Sequence, residues 1–251
     1  LQGNLNISAE LDELKRRNLL YGDNNIDKQF VMNIPAEILN KPFLEAVKLL
    51  EQDIITSDSQ DTNKIRLREA GYFLNRGLGS NAIKILNSLE KEKASESESD
   101  TFHSMRGIAN FLMRRYEEAI KDFSYGNLVQ NEEARFWKNL SIAALQPNER
   151  SNKVISPYIY MLKNYPNEIR RRIALIAIEL ALMANDDLAV QNYIEILRDS
   201  DGTDNKAAIN YYNARRLEAM GYPLNALREY RNAADSSANY YSVLSRKKII
   251  E

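Results

Sequence analysis

The chain has 251 residues, enough for one sizeable core or a long array of repeats, and 44% of them are apolar, which excludes a disordered chain. Its 34 Lys and Arg nearly cancel its 35 Asp and Glu, so no global field draws it to nucleic acid or to an anionic membrane. There is no Cys, which excludes disulfides, thiolate metal sites and Cys nucleophiles together.

Gly (9) and Pro (6) are scarce, against an all-β fold with many tight turns, and Glu, Lys, Leu, Ala and Arg dominate, so helices are expected nearly throughout. Residues 1–60 read as a helical extension. Leu1 in place of Met reads as a trimmed end, and the lack of Cys favours an exported over a cytoplasmic chain, with both compartments open. Ser8 caps a short amphipathic helix, AELDELKRR, acidic first and basic last; FVMNIP (30–35) is extended. Pro35 and Pro42 each suit a helix start, and PFLEAVKLLEQDII is the stronger helix. TSDSQDT (56–62) is the linker into the rest of the chain, residues 61–251, with Asp61 or Thr62 as a cap.

From there a unit recurs. Ala82, Ala119, Ala189 and Ala226 are separated by 37, 70 and 37 residues, a period near 36 if the middle interval holds two units. Five residues before each lies a turn position: Gly77, Arg114, Ala184 and Gly221. Twelve before lies a small residue, Ala70, Gly107, Ala177 or Ala214, and four after a large one, Leu86, Phe123, Tyr193 or Tyr230. The unit is a helix, a tight turn and a second helix; the small residues let the helices approach where they cross, and the large ones fill the space beside them. The third unit is irregular. Ser156-Pro157 falls inside its second helix, so either YIYMLKNYP is a short, late helix ended before Pro166, or Pro157 kinks a longer one. KEKASESESD (91–100) reads as a mobile, acidic, polar loop, and residues 236–250 as a terminal helix with a basic end, Arg246-Lys247-Lys248.

INYYNARRLEAMGYPLNALREYRNAA (209–234), MRGIANFLMRRYEEAIKDFSYG (105–126) and FWKNLSIAAL (136–145) resemble the tetratricopeptide repeat family over roughly residues 63–235. Arg106 stands where that family has Leu, and several first aromatics are missing. The resemblance implies an all-α fold, a right-handed α-solenoid of about five units with an N-terminal helical extension and a C-terminal capping helix. It further implies a non-enzymatic scaffold that holds a protein or peptide in a concave groove, with no cofactor. The alternative is a structural, self-associating module of a larger exported bacterial protein.

Other motifs carry little chemistry. Gly77-Leu-Gly79-Ser-Asn-Ala82 matches a dinucleotide fingerprint, which needs a preceding strand; here a helix precedes it. Asp199-Ser-Asp201-Gly202-Thr-Asp204 resembles a calcium loop, but its twelfth position is Asn210 instead of Glu. His103, the single His, occupies a packing slot, and Arg170-Arg171-Arg172 spreads around a helix start without forming one basic face. IALIAIELALMA (173–184) is shorter than the roughly 20 residues of a membrane span, and Glu179 interrupts it.

The groove implied by the resemblance exposes Arg135, Lys138, Asn139, Arg171, Tyr211, Tyr212 and Arg215, planar aromatics and Arg being enriched at interface anchors. Ile142 and Leu145 stand where a carboxylate clamp for chaperone C-termini would need polar groups. The same groove would hold Ile108, Phe111, Leu112, Ile142, Leu175, Ile178 and Leu182, too much apolar surface for water. The N-terminal helices folding back, a second copy of the chain, or a partner helix would cover it.

Overall fold

The computed structural model describes residues 36–200, 205–236 and 239–250. Ser8, the FVMNIP segment, Pro35 and most of the calcium-like stretch lie outside them. Thirteen α-helices follow one another with no strand among the described residues, which are all-α. They are α1 (Ala36–Leu39), α2 (Phe43–Thr56), α3 (Ser59–Asn75), α4 (Gly79–Lys91), α5 (Asp100–Leu112), α6 (Tyr116–Asp122) and α7 (Glu132–Leu145). Then come α8 (Ser151–Ile155), α9 (Asn167–Met183), α10 (Asp187–Asp199), α11 (Asn205–Ala219), α12 (Pro223–Ala234) and α13 (Tyr240–Ile250). No helix among the described residues is long and apolar enough to cross a membrane. Each helix from α2 to α7 packs on the next, as does each from α9 to α13, and α3 also touches α5, α5 touches α7, and α11 touches α13.

The turns explain the hairpins. At the ends of α3, α5, α9 and α11 one residue takes the left-handed conformation: Gly77 (φ +71°), Arg114 (φ +61°), Asn185 (φ +51°) and Gly221 (φ +81°). The next amide reaches back to a carbonyl five residues earlier: Leu78 to Phe73 at 2.8 Å, Arg115 to Asn110 at 2.8 Å, Asp186 to Ala181 at 3.0 Å and Tyr222 to Leu217 at 2.9 Å. The following helix begins two residues after the left-handed one in all four cases. In the unit anchored on Ala189 the turn residue is therefore Asn185; Ala184 keeps a helical φ of −82°. This turn falls one residue later than the spacing of the other three predicts, and Val190 is buried more completely than Ala189.

Behind the turns the small and the large positions are all buried, and at Gly107 the contact between them is explicit. Ala70, Gly107, Ala177 and Ala214 are buried, as are Leu86, Phe123, Tyr193 and Tyr230. The Phe123 ring lies so close to Gly107 that a Cβ there would meet it at 2.7 Å. Trp137 on α7 is fully buried, 5.2 Å from the Phe111 ring, 5.9 Å from Phe123 and 5.4 Å from Tyr165. An aromatic side chain of roughly 200 Å2, buried at about 25 cal/mol per Å2, contributes about 5 kcal/mol before entropy is charged against it.

Three expectations change. Only Ser57 and Asp58 separate α2 from α3, and α3 starts at Ser59, with Asp58 at its N-cap; Asp61 and Thr62 lie inside the helix. The acidic segment is ordered: Lys93 (φ +55°) turns the chain, Ser95–Glu98 form a 3-10 helix, and Ser97 is buried with its hydroxyl donating to Ala94 O at 2.7 Å. Ser99 then caps α5, accepting from the Phe102 amide at 3.1 Å. In the third unit the helical chain runs through Pro157. Helix α8 passes at once into a 3-10 helix, Ser156–Asn164, so the second helix is long but tightened at the proline rather than short and late.

Candidate interaction surface

Helix α9 carries three consecutive arginines to three surroundings. Arg172 donates from Nη1 to the Leu112 carbonyl at 3.0 Å and from Nη2 to the Gly77 carbonyl at 3.4 Å. Leu112 is the last residue of α5 and Gly77 the turn residue just past α3, so the start of α9 sits on the ends of both, and Glu168 lies 3.1 Å from where a Cβ on Gly77 would stand. Arg171 pairs with Glu168 at 3.6 Å; burial raises the Tyr241 hydroxyl, and Arg171 opposes that only weakly. Arg170 turns toward the 3-10 helix and α10. The run does spread around the helix start.

On the following turns of α9, Glu179 accepts two bonds from Arg215 Nη1, at 2.8 and 2.6 Å, and one from the Tyr212 hydroxyl at 3.0 Å. The Arg215 guanidinium stands 5.9 Å from the Tyr211 ring centre. Tyr211, Tyr212 and Tyr241 pack edge to face or tilted, with centres 5.3 to 5.7 Å apart. Burial raises the Tyr212 hydroxyl far above its ordinary range, helped by Tyr241 and Glu179. Burial pulls the Arg215 guanidinium down, and the Glu179 carboxylate outweighs it and raises the group. Glu179 and Arg215 are 36 residues apart, one period, so the ion pair links equivalent faces of α9 and α11. That spacing was the available signal for Glu179, which a composition-led reading sees only as an interruption of an apolar run.

Of the expected polar positions, Arg135 is exposed, and Lys138, Asn139, Arg171 and Arg215 are partly so. Tyr211 and Tyr212 are 7% and 3% accessible, so they form the floor under Arg215 instead of an open surface. Tyr211, Tyr212 and Arg215 come together with Glu179 of α9 and Tyr241 of α13, while Arg171 lies about two turns before Glu179 on α9 and pairs with Glu168; Arg135, Lys138 and Asn139 sit on α7. Among the expected apolar positions Ile108, Phe111, Leu112 and Ile178 are buried, Leu175 and Leu182 are partly buried, and Ile142 is 43% exposed. The expected excess of apolar groove surface does not exist. At Leu112 the side chain packs against Gly79 at the start of α4, a source of cover inside the array itself.

Two buried polar networks lie elsewhere. Asp122, 4% accessible, accepts from Arg106 Nε at 2.8 Å and Asn110 Nδ2 at 3.0 Å, and lies 3.1 Å from His103 Nδ1. Arg106 also bridges to Glu90 at 2.5 Å, and His103 stacks on Tyr125 with ring centres 3.5 Å apart. Arg106, out of place for an apolar repeat position, thus neutralises a buried carboxylate. In the second network Trp137 Nε1 donates to the Tyr165 hydroxyl at 2.8 Å, which donates to Glu133 Oε1. Burial pushes the Glu133 carboxyl up to about 8. Gly77 and Gly79 stand in the α3–α4 turn, between two helices, which is not the strand-to-helix context of a dinucleotide site.

No protein-family model, no curated protein sequence and no solved structure matches the chain.

Proposed function

We propose that this chain is a non-enzymatic interaction scaffold, a right-handed α-solenoid of tetratricopeptide-like hairpins that holds a protein or peptide segment against its first helices. The observation that carries the reading is the Arg171–Glu179–Arg215 face on its tyrosine floor. Arg215, held by Glu179 and standing over the Tyr211 ring, presents its remaining donors with little entropy left to lose on binding, and Arg171, paired with Glu168, extends the charge along α9. Arg135, Lys138 and Ile142 extend the contact surface on α7. The hairpins, closed by four matching turns, support the solenoid part of the proposal. The test is capture of partners from a native lysate by the full chain and by an Arg135→Glu/Lys138→Glu/Arg171→Glu variant with an unchanged melting temperature. Loss of a specific partner is expected; undiminished recovery by the variant would remove the assignment.

A second reading, self-association, is favoured by Tyr240, Val243 and Ile250 on α13, which are 69%, 59% and 86% exposed. It requires a mass that rises with concentration in light scattering and returns to that of one chain in Val243→Asp.

A further inference from the structure

Between the 3-10 helix Ser156–Asn164, the first turn of α9 and the end of α10 lies a cavity of about 370 Å3. It exists because the second helix of the third unit is tightened at Pro157. A 3-10 segment is narrower than an α-helix and stacks its side chains three apart, so it fills less of the space beside α10. The walls are Ile159, Leu162 and Ile196, with the Tyr160 ring among them. Two cations, Lys163 and Arg170, and one acid, Asp199, complete the lining.

Arg170 is only partly satisfied. Its Nη2 donates to Asn167 Oδ1 and, at 3.4 Å, to the Asp199 carbonyl, and these bonds fix the guanidinium. Its Nε is buried and has no acceptor among the described residues. A buried donor on a permanent cation is costly to leave unmatched, and a fixed guanidinium is pre-organised for an anion. Lys163, an exposed neighbour on the same wall, has no ion-pair partner among the described residues, and neither has the exposed Asp199. Among the described residues the lining carries two cations and one carboxylate, a net charge near +1, which fits a monoanion better than a phosphate dianion. The volume lies at the small end of the range for ligand pockets.

We propose that this cavity binds a small monocarboxylate with an apolar body. The carboxylate pairs with the Arg170 guanidinium and attracts Lys163, and the apolar body lies against Ile159, Leu162 and Ile196. The proposal is independent of the scaffold reading, because none of these residues belongs to the Arg171–Glu179–Arg215 face.

The experiment is calorimetric titration of the full chain with hexanoate, and separately with hexan-1-ol and inorganic phosphate. Hexanoate should bind about tenfold or more tightly than either, since only it supplies both a charge-assisted acceptor and an apolar chain. Arg170→Met should weaken hexanoate about tenfold, and Lys163→Met a few-fold, the latter at an unchanged melting temperature. Should Arg170→Met fail to fold, the hexanoate-to-hexanol ratio and Lys163→Met decide. Equal affinity for hexanoate and hexan-1-ol, tighter binding of phosphate, or no hexanoate heat up to about 10 mM would each overturn the site.

Discussion

Arg172 reaches across 60 residues of sequence to the Leu112 carbonyl, 3.0 Å from its Nη1, and ties the fourth first-helix to the end of the second. Leu112 O is an end carbonyl of α5 with no intrahelical partner, and Gly77 O belongs to the turn just past α3, so the guanidinium stands near the negative ends of both helix dipoles. The contact holds α9 against the ends of α3 and α5.

Arg172→Met keeps the stem and removes the donors. It leaves the Leu112 and Gly77 carbonyls to find other partners and should cost about 1–3 kcal/mol. Amide exchange should quicken near residues 110–115 and 167–173 and stay unchanged in α12. A loss spread evenly over all helices would show that the contact does not organise this junction.

Gly107 tests the helix crossing. A methyl there would have to displace the Phe123 ring, which is itself packed on Trp137 at 5.9 Å. Gly107→Ala gains helix propensity of about 1 kcal/mol against an overpacking cost of about 1–3 kcal/mol, so a net loss is expected, and Gly107→Leu should lose more. Ser80→Ala, at an exposed position on α4, should stay within about 0.5 kcal/mol. Urea denaturation of the three variants checks the order; a Gly107→Leu protein as stable as the parent would mean that Phe123 does not occupy the crossing.

Much of this was legible from the chain because sterics repeat at a fixed interval. Gly107 and Phe123 are 16 residues apart in the sequence and in contact in the fold, as the small-then-large pattern requires. The misplaced turn at Ala184 shows where the pattern stops: one extra residue before the left-handed position is invisible when Ala184 and Asn185 both suit a helix end. Exposure was the least legible quantity. Periodicity assigns Tyr211 and Tyr212 to a helix face but not what lies over it, and Tyr241 covers them from a helix outside the counted units. Ser97 looked solvated because its neighbours are charged, yet its own hydroxyl is satisfied by Ala94 O, which lets it be buried at little cost.

The tyrosine floor separates folding from binding. Tyr211→Ala would open a cavity among Tyr212, Tyr230 and Tyr241 and should cost about 3–5 kcal/mol, as large aromatic deletions do. Arg215→Ala breaks a pair whose side chains are 29% and 44% accessible, so solvent screening holds its cost to about 1 kcal/mol or less. Partner binding, where it uses this face, should therefore fall in Arg215→Ala at nearly full stability. The reverse order of melting temperatures would mean that the ion pair, and not the aromatic floor, holds α9 to α11.

Glu133 gives the chain a pH dependence of definite sign. Its carboxyl is buried, hydrogen-bonded by the Tyr165 hydroxyl and without a paired cation among the described residues, and burial holds it at about 8, against about 4.3 in an unfolded chain. The dipole of α7 acts the other way on a first-turn residue, but is worth at most about 2 kcal/mol and does not reverse the shift. Because the folded value lies above the unfolded one, the unfolded state releases its proton first as pH rises. The contribution of Glu133 is complete below about pH 4 and declines as pH rises through about 8, by roughly 3 kcal/mol or more in all. Glu133→Gln keeps the acceptor for Tyr165 and removes the titration. Urea midpoints between about pH 5.5 and 8.5 should fall in the parent and flatten in the variant; parallel slopes would mean that the parent carboxylate is ionised throughout and finds its compensation elsewhere.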